Sequence, residues 1–374
     1  MIRKALKIVK VIAITVFSLI LVVLSSALLY RRVLQHEVGK DRAITSPNGI
    51  DSLERVGIGG IDQWIEVRGQ NVSNPILLVI HGGPGLAFIP LAGSFQAPWE
   101  KRFTVVEWDQ RGAGKTYSSN DRDLQERTMS VTQMEQDTLE VVNYLRNRFH
   151  RNKILVLGHS WGSMLGLWLA HEHPDLLYAY VGVGQLTNPE RDEQVAYQDA
   201  LREARDSHNR QAVGDLESIA PYPSQNVDLM KAQVAKNSEA ALLGPPPHGV
   251  AFVDTKRIMT SVLSAPEYSL ADDFGYFKSQ LSSLQILIPQ IMKIDLTQLG
   301  PDFRVPIFFF EGARDPYCRP SRVRDYFQKI NAPEKEFVSF DDSGHFPFFE
   351  QNQRFADELF QRVLPLANDG QGDR

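Results

Sequence analysis

Lys153-Ile154-Leu155-Val156-Leu157 runs straight into Gly158-His159-Ser160-Trp161-Gly162, and Ser163 to Ala170 continues at helical spacing. A short β-rich run, a glycine-bracketed serine and a helix form the strand–turn–helix context in which G-x-S-x-G pushes a serine out of the backbone. The turn is tight, so the residues two before and two after the serine must be small, and both are glycine. The serine oxygen then emerges at a helix N-terminus, where the helix dipole favours alkoxide character. Ser160 is the candidate nucleophile.

The same punctuation recurs along the chain. Pro75–Ile80 ends at His81-Gly82-Gly83, Phe103–Val106 leads to Asp109, and Val305–Phe310 ends at Glu311-Gly312. Continuous apolar runs of this length suit strands of a parallel sheet covered on both faces. Between them, Ser130 with Gln133 reads as a capping box, and Met134, Val141, Val142, Leu145 and Phe149 recur at helical spacing. Phe355, Leu359, Phe360 and Val363 mark a C-terminal helix. Alternating β and α elements argue for an open α/β sheet, whose ligands bind outside the carboxyl ends of the strands. The chemistry-bearing motifs fall at those ends.

A serine hydroxyl needs a base. Of the nine histidines, His345 sits in Asp342-Ser343-Gly344-His345, after the expected strand Glu336–Phe340 and before the last helix. It also comes late, as the Ser…Asp…His chain order requires. His81 and His159 flank glycine turns and read as structural; His171 and His173 lack H-E-x-x-H spacing. Asp315, just past Phe308-Phe309-Phe310, is the candidate orienting acid, with Asp341 and Asp342 as rivals close to His345 along the chain. Its role would be to hold the imidazole tautomer and stabilise the imidazolium. The glycines of His81-Gly82-Gly83-Pro84-Gly85 allow close backbone approach, so the N–H groups of Gly83 and Trp161 are the expected oxyanion donors. These side chains supply nucleophile, acid and base themselves, so no metal or organic cofactor is implied.

Gly112-Ala113-Gly114-Lys115-Thr116 imitates a phosphate loop, but the glycine that signature needs five residues before Gly114 is Asp109. Nucleotide binding is rejected on that ground. Charge argues against nucleic acid as well. Of the 40 bases, six lie in residues 1–32 with no acid, which leaves 34 against 45 acids, a net −11, over the rest. A globular part of that sign repels a phosphate backbone. One cysteine in 374 residues, Cys318, excludes an internal disulfide framework.

Val11–Tyr30 is a run of 20 residues without a charge, bounded by Lys10 and Arg31. As a helix it covers roughly 30 Å, the thickness of a hydrocarbon core. The four bases before it place the N-terminus in the cytoplasm and the globular part on the other side. A signal peptide cleaved near Ser25-Ser26-Ala27 is the rival reading; the apolar run continues past it, which favours an uncleaved anchor. The expected organisation is a membrane anchor over 1–32 and a linker over 33–55, with Ser46-Pro47-Asn48-Gly49 as turn. A core over 56–185 and 301–374 follows, with a helical cap over 186–300 between its halves. Glu193–Arg205 and Asn226–Leu243 read as cap helices, with Gly244-Pro245-Pro246-Pro247 as a break.

Together, His81-Gly82-Gly83-Pro84-Gly85, Asp109-Gln110-Arg111-Gly112-Ala113-Gly114, Gly158-His159-Ser160-Trp161-Gly162-Ser163, Gly312-Ala313-Arg314-Asp315 and Gly344-His345 resemble the α/β-hydrolase fold, and within it the proline iminopeptidase-like branch. The resemblance covers about 57–185 and 301–366. It implies a triad at Ser160, Asp315 and His345, and a structural brace at Asp109-Gln110-Arg111. In that branch, cap glutamates set among aromatic residues grip the substrate's free amine. All five tryptophans here lie outside the insertion, and Glu190, Glu193, Glu203 and Glu217 read equally as solvated helix faces. The expected activity is an acyl-enzyme hydrolysis of a small amide, N-terminal aminoacyl or short peptide substrate. A carboxylesterase and a non-catalytic binding protein on the same scaffold remain the alternatives.

Overall fold

The computed structural model describes residues 2–223, 229–243 and 255–368. It opens with α1, Ile2–Asp41, a helix long and apolar enough to cross a membrane. The helix does not stop at Arg32. It runs nine residues further, and β1 (Ile50–Ile58) starts inside the segment expected as linker. The sequence pattern missed this because β1 is an edge strand with exposed positions, whose polar alternation resembles a loop. β1 turns through Gly59 and Gly60, both at positive φ, into β2 (Ile61–Gly69). A two-residue hairpin loop of that handedness needs residues without a Cβ penalty.

Eight strands form one sheet in the order β1-β2-β4-β3-β5-β6-β7-β8. Beyond the β1–β2 hairpin these are β3 (Ile76–Ile80), β4 (Thr104–Asp109), β5 (Ile154–His159), β6 (Leu177–Val183), β7 (Ile307–Gly312) and β8 (Lys335–Phe340). β1, β2 and β4 pair antiparallel, and every pair from β4 to β8 is parallel. Leu78 and Ile80 of β3 join one core cluster, Leu77 and Val79 the other. That alternation is the period-two geometry of a strand buried on both faces. Three helices lie between β4 and β5: α2 (Gly114–Ser119), α3 (Arg122–Thr128) and α4 (Val131–Phe149). Then α5 (Trp161–Glu172) connects β5 to β6.

Only half of the expected capping box forms at α4. Ser130 Oγ accepts from the Gln133 N–H at 3.1 Å, but the Gln133 side chain turns to Asp137 Oδ1 at 2.7 Å. Asp137 draws it there. Its carboxylate also accepts from Arg111 Nε at 2.9 Å and Gln63 Nε2 at 2.8 Å, and both ionic side chains are fully buried. Removing one partner of such a pair strands the other charge away from water, at about 3–5 kcal/mol. Asp137→Ala is therefore expected to lower unfolding stability by about that amount, read as a urea midpoint shift. A loss under 1 kcal/mol would mean that Arg111 regains solvent.

The insertion between β6 and β7 divides in two. α6 (Pro189–Asp206), α7 (Arg210–Ser218) and α8 (Leu229–Leu243) share a small core of Tyr197, Ala200, Ala204, Ala212, Leu216 and Ile219. α9 (Thr255–Ser264) and α10 (Leu270–Ile291) belong instead to the main body: Val262, Tyr268 and Tyr276 join one sheet-face cluster, Leu287 and Ile291 the other. The Gly244–Pro247 break lies outside the described residues. After β7 come α11 (Pro320–Lys329), β8, and the short helices α12 (Pro347–Glu350) and α13 (Asn352–Glu358).

Strand order reverses at β3: β4 lies on one side of it and β5 on the other. The crevice at such a switch point is where ligands bind in open α/β sheets. The His81–Gly85 loop and Ser160 leave adjacent strands there.

Candidate active site

Ser160 stands between β5 and α5 with φ 53° and ψ −119°, a sparsely populated backbone conformation. Its N–H donates to Val183 O at 2.8 Å, pinning the turn to the end of β6. A Cβ at Gly158 would lie 2.5 Å from Gly162 O, and one at Gly162 would lie 2.0 Å from Ile80 O. Both elbow glycines are thus required by backbone packed against backbone.

Asp315 and His345 come from the loops after β7 and β8. These loops touch: a Cβ at Gly312 would fall 1.8 Å from Gly344 O, and Arg314 N donates to Ser343 O at 3.0 Å. Asp315 Oδ1 accepts from the N–H groups of Tyr317 and Cys318 at 2.7 and 2.9 Å. Oδ2 is left for His345 Nδ1 at 2.7 Å. With a carboxylate acceptor there, the neutral ring's tautomer is assigned with the proton on Nδ1, which leaves Nε2 as an acceptor. The rival Asp341 is exposed and holds Ser339 Oγ at 3.0 Å. His159 Nε2 meets His345 O at 2.9 Å, so the residue before Ser160 is tied to the histidine loop. Burial holds the His159 imidazole well below its ordinary pKa, as it does for His81, lowered to about 4. Both are neutral and structural.

The Gly82–Gly85 loop passes directly over the elbow. A Cβ at Gly82 would come within 2.9 Å of Ser160 Cβ, and Gly83, at φ +116°, would drive one into Leu86 N at 2.7 Å. Gln110 links the loop to the residue after the serine, since Trp161 Nε1 donates to Gln110 Oε1 at 3.1 Å and Gln110 Nε2 to His81 O at 2.9 Å. The Trp161 N–H opens α5, where a helix has no partner of its own for its first donors. From above, Tyr276 Oη of α10 donates to Ala87 O at 2.8 Å, and Ser283 Oγ to Gly112 O at 2.8 Å.

The phosphate-loop imitation has another use. Lys115 Nζ pairs with Asp272 of α10 at 2.9 Å and lies 4.6 Å from the Trp64 ring centroid. Asp109, buried and raised to about 7 by desolvation, accepts from Tyr268 Oη at 2.6 Å and Lys115 N at 2.8 Å. Core and insertion are stitched together at this point.

Several neighbours carried no local signal. Gly184, at φ +55°, lies so close that a Cβ would meet His345 Cε1 at 2.9 Å and Nδ1 at 3.0 Å. Glu311 is fully buried and accepts from Gln185 N at 3.0 Å; burial, then repulsion by Asp315, pushes its carboxyl well up. Glu350 caps Gly344 N at 2.6 Å and is raised to about 7, chiefly by burial. Tyr317 packs its ring 4.9 Å from His345. Burial, then Asp315, raises the Tyr317 hydroxyl, with the cap carboxylates Glu193 and Glu239 adding to it; Glu193 accepts from Tyr222 Oη at 2.7 Å and Glu239 lies 3.9 Å from Arg319 Nη2. Of the cap acids singled out in sequence, Glu190, Glu203 and Glu217 are exposed. Glu239, buried in α8, was not among them.

Asp315, Cys318 and His345 bring potential metal-ligand atoms within 4.8 Å of one another. The Nδ1–Oδ2 separation of 2.7 Å is a hydrogen bond. Two ligand atoms sharing a tetrahedral ion at 2.0–2.1 Å stand about 3.3 Å apart.

The family model for the alpha/beta hydrolase fold matches residues 75–351. A Bacillus subtilis (strain 168) protein named "Probable aminopeptidase YbaC" is 29% identical over 320 residues, 84% of this chain and 97% of its own. The proline iminopeptidase of Clostridium botulinum is 23% identical over 289 residues, 76% of this chain and 87% of its own. Among solved structures, Mycobacterium smegmatis proline iminopeptidase superposes with a TM-score of 0.58 at 19% identity, covering 85% of this chain and all of that one. The chain belongs to the α/β-hydrolase fold family and is a hydrolase similar to its proline iminopeptidases.

Proposed function

We propose that the protein is a serine hydrolase that cleaves small amide or N-terminal aminoacyl substrates through an acyl-enzyme. Ser160 Oγ attacks the carbonyl carbon while His345 Nε2 takes its proton; Asp315 stabilises the imidazolium; Gly83 and Trp161 N–H groups hold the oxyanion. His345 then protonates the leaving amine, and water repeats the sequence to release the acid. The observation that carries the reading is the fully oriented Asp315–His345 pair at 2.7 Å beside a strained serine elbow.

The amine preference is supported by the likeness to the aminopeptidase and proline iminopeptidase relatives, with Glu193 and the buried Glu239 as the cap carboxylates whose charge reaches Tyr317, the residue packed on His345. A substrate ammonium would have to compete for Glu239 with Arg319, 3.9 Å away, and for Glu193 with the Tyr222 hydroxyl. A carboxylesterase shares the same tetrahedral intermediate and differs in the cap alone. We further propose that α1 is an uncleaved anchor, since Ser25-Ser26-Ala27 lies within continuous helix rather than in extended chain, with the catalytic domain on the non-cytoplasmic side, since four bases and no acid precede the apolar run.

Chromogenic aminoacyl anilides and short acyl esters, assayed against wild type and Glu193→Gln/Glu239→Gln, test the assignment. We expect aminoacyl kcat/KM to fall at least tenfold in the double variant, with ester turnover within threefold. Turnover of esters alone by the wild type would make the protein an esterase. Turnover of neither, with no fluorophosphonate labelling, would make it a binding protein.

A further inference from the structure

The outer face of α10 is apolar and faces water. Leu270, Phe274, Phe277 and Leu281 recur at spacings of four, three and four, which is one face of a helix; their exposures are 39%, 83%, 39% and 52%. Met259 and Leu263 on α9 add 46% and 41%. Single exposed apolar residues need no explanation, but a contiguous stripe does.

Its position supplies one. Arg31 is the first charge after the apolar run of α1, and its Nε and Nη2 donate to Asp273 Oδ2 at 2.9 and 2.7 Å. Arg31 Nη2 also reaches Tyr268 O at 2.9 Å, and Gln35 Nε2 reaches Ala265 O at 2.7 Å. Asp273 therefore lies at the level where α1 leaves the hydrocarbon, and Phe274 is the next residue. We propose that this stripe of α9 and α10 lies in the headgroup–acyl boundary of the same bilayer that holds α1, as a second, monotopic contact. An exposed apolar helix face of this kind is the surface that interfacial helices lay into that boundary. The exposed Lys278 beside the stripe suits lipid phosphate. The inner face meanwhile donates to Ala87 O and Gly112 O beside the His81–Gly85 loop, so the active-site crevice is held at the membrane surface.

This rests on the reading of α1 as a retained anchor, and the experiment separates the two. The full chain is reconstituted in nanodiscs of phosphatidylethanolamine and phosphatidylglycerol with a nitroxide at Phe274→Cys, Leu281→Cys or, for comparison, Lys329→Cys, exposed on α11 by the far edge of the sheet. Unsubstituted protein, whose Cys318 is buried, is the blank. We expect collisions with oxygen to exceed those with an aqueous nickel chelate at 274 and 281, by at least threefold relative to 329. Nickel access at 274 and 281 equal to that at 329 overturns the proposal. So does dipolar broadening at 274 that vanishes on dilution with unlabelled chain, which assigns the stripe to a second copy. Intact mass of the same samples reports α1: loss of residues before Leu28 with the lipid signature kept sinks the anchor and leaves the surface standing.

Discussion

Ser160→Ala is expected to abolish fluorophosphonate labelling and to lower kcat by at least 10⁴-fold, with His345→Ala falling as far and the double variant no further. Groups that act as one unit lose nearly everything with the first removal, which is why the effects do not add. Asp315→Asn is the more informative member. It keeps the shape of the side chain that accepts from the Tyr317 and Cys318 N–H groups, but it can present its amide rather than an oxygen to His345 Nδ1. The imidazole then takes the tautomer with its proton facing Ser160. A loss of about 10⁴ in kcat with KM nearly unchanged is the expected signature. Unfolding midpoints should move little for Ser160→Ala, so lost activity is not lost fold. Labelling that persists in Ser160→Ala would place the nucleophile elsewhere.

Gly184→Ala is the second large effect, and it acts without touching any group assigned a proton. At φ +55° an added methyl strains the backbone by about 1–2 kcal/mol. It would also stand 2.9 Å from His345 Cε1 and 3.3 Å from Asp315 Oδ2, so the imidazole, the carboxylate or both must shift. A misplacement approaching 1 Å is worth about 10² in rate. We expect kcat to fall 10²-fold or more, with substrate KM within threefold and the protein folded. Gly57→Ala, where an added methyl meets nothing within 4 Å, is the matched control and should keep full activity. Gly184→Ala within threefold of wild type would show that the pair has slack, and would weaken the view that its placement is rigid.

The contrast between those two experiments follows what was legible in sequence. The proposed nucleophile Ser160 stands out because the elbow needs strand, glycines and helix in one short window, and the proposed partners Asp315 and His345 follow from chain order and strand ends. Gly184 has no such window. Its constraint comes from loops more than a hundred residues later in the chain, and glycine after a strand reads like any other turn. β6 was missed for a related reason: Leu177–Val183 carries tyrosines and a glycine, and its paired neighbours, β5 and β7, flank it only in the folded sheet. The insertion was legible as helical, yet not that α9 and α10 pack with the main core while α6–α8 keep their own. Glu239 was passed over because one acid on a helix of mixed composition signals nothing until the fold turns it inward.

Arg42, directly after α1, has an ion pair to each side: Nη2 to Glu66 of β2 at 3.2 Å and Nη1 to Glu267, just ahead of α10, at 2.7 Å. With Arg31 about three and Gln35 about two helical turns before it, these ties between the helix and the domain all precede Ala43. The chain from Ala43 to Gly49 therefore does not set the distance between helix and domain. Lengthening it with a flexible insert would not let the domain swing away, whereas an ordinary tether gains reach roughly as the square root of its length. If α1 is retained in a bilayer, as proposed above, a domain mounted this way keeps a fixed height and a fixed tilt over it. It would then search for substrate by lateral drift in two dimensions, its field of view set by the side chains of Arg31, Gln35 and Arg42 rather than by a hinge.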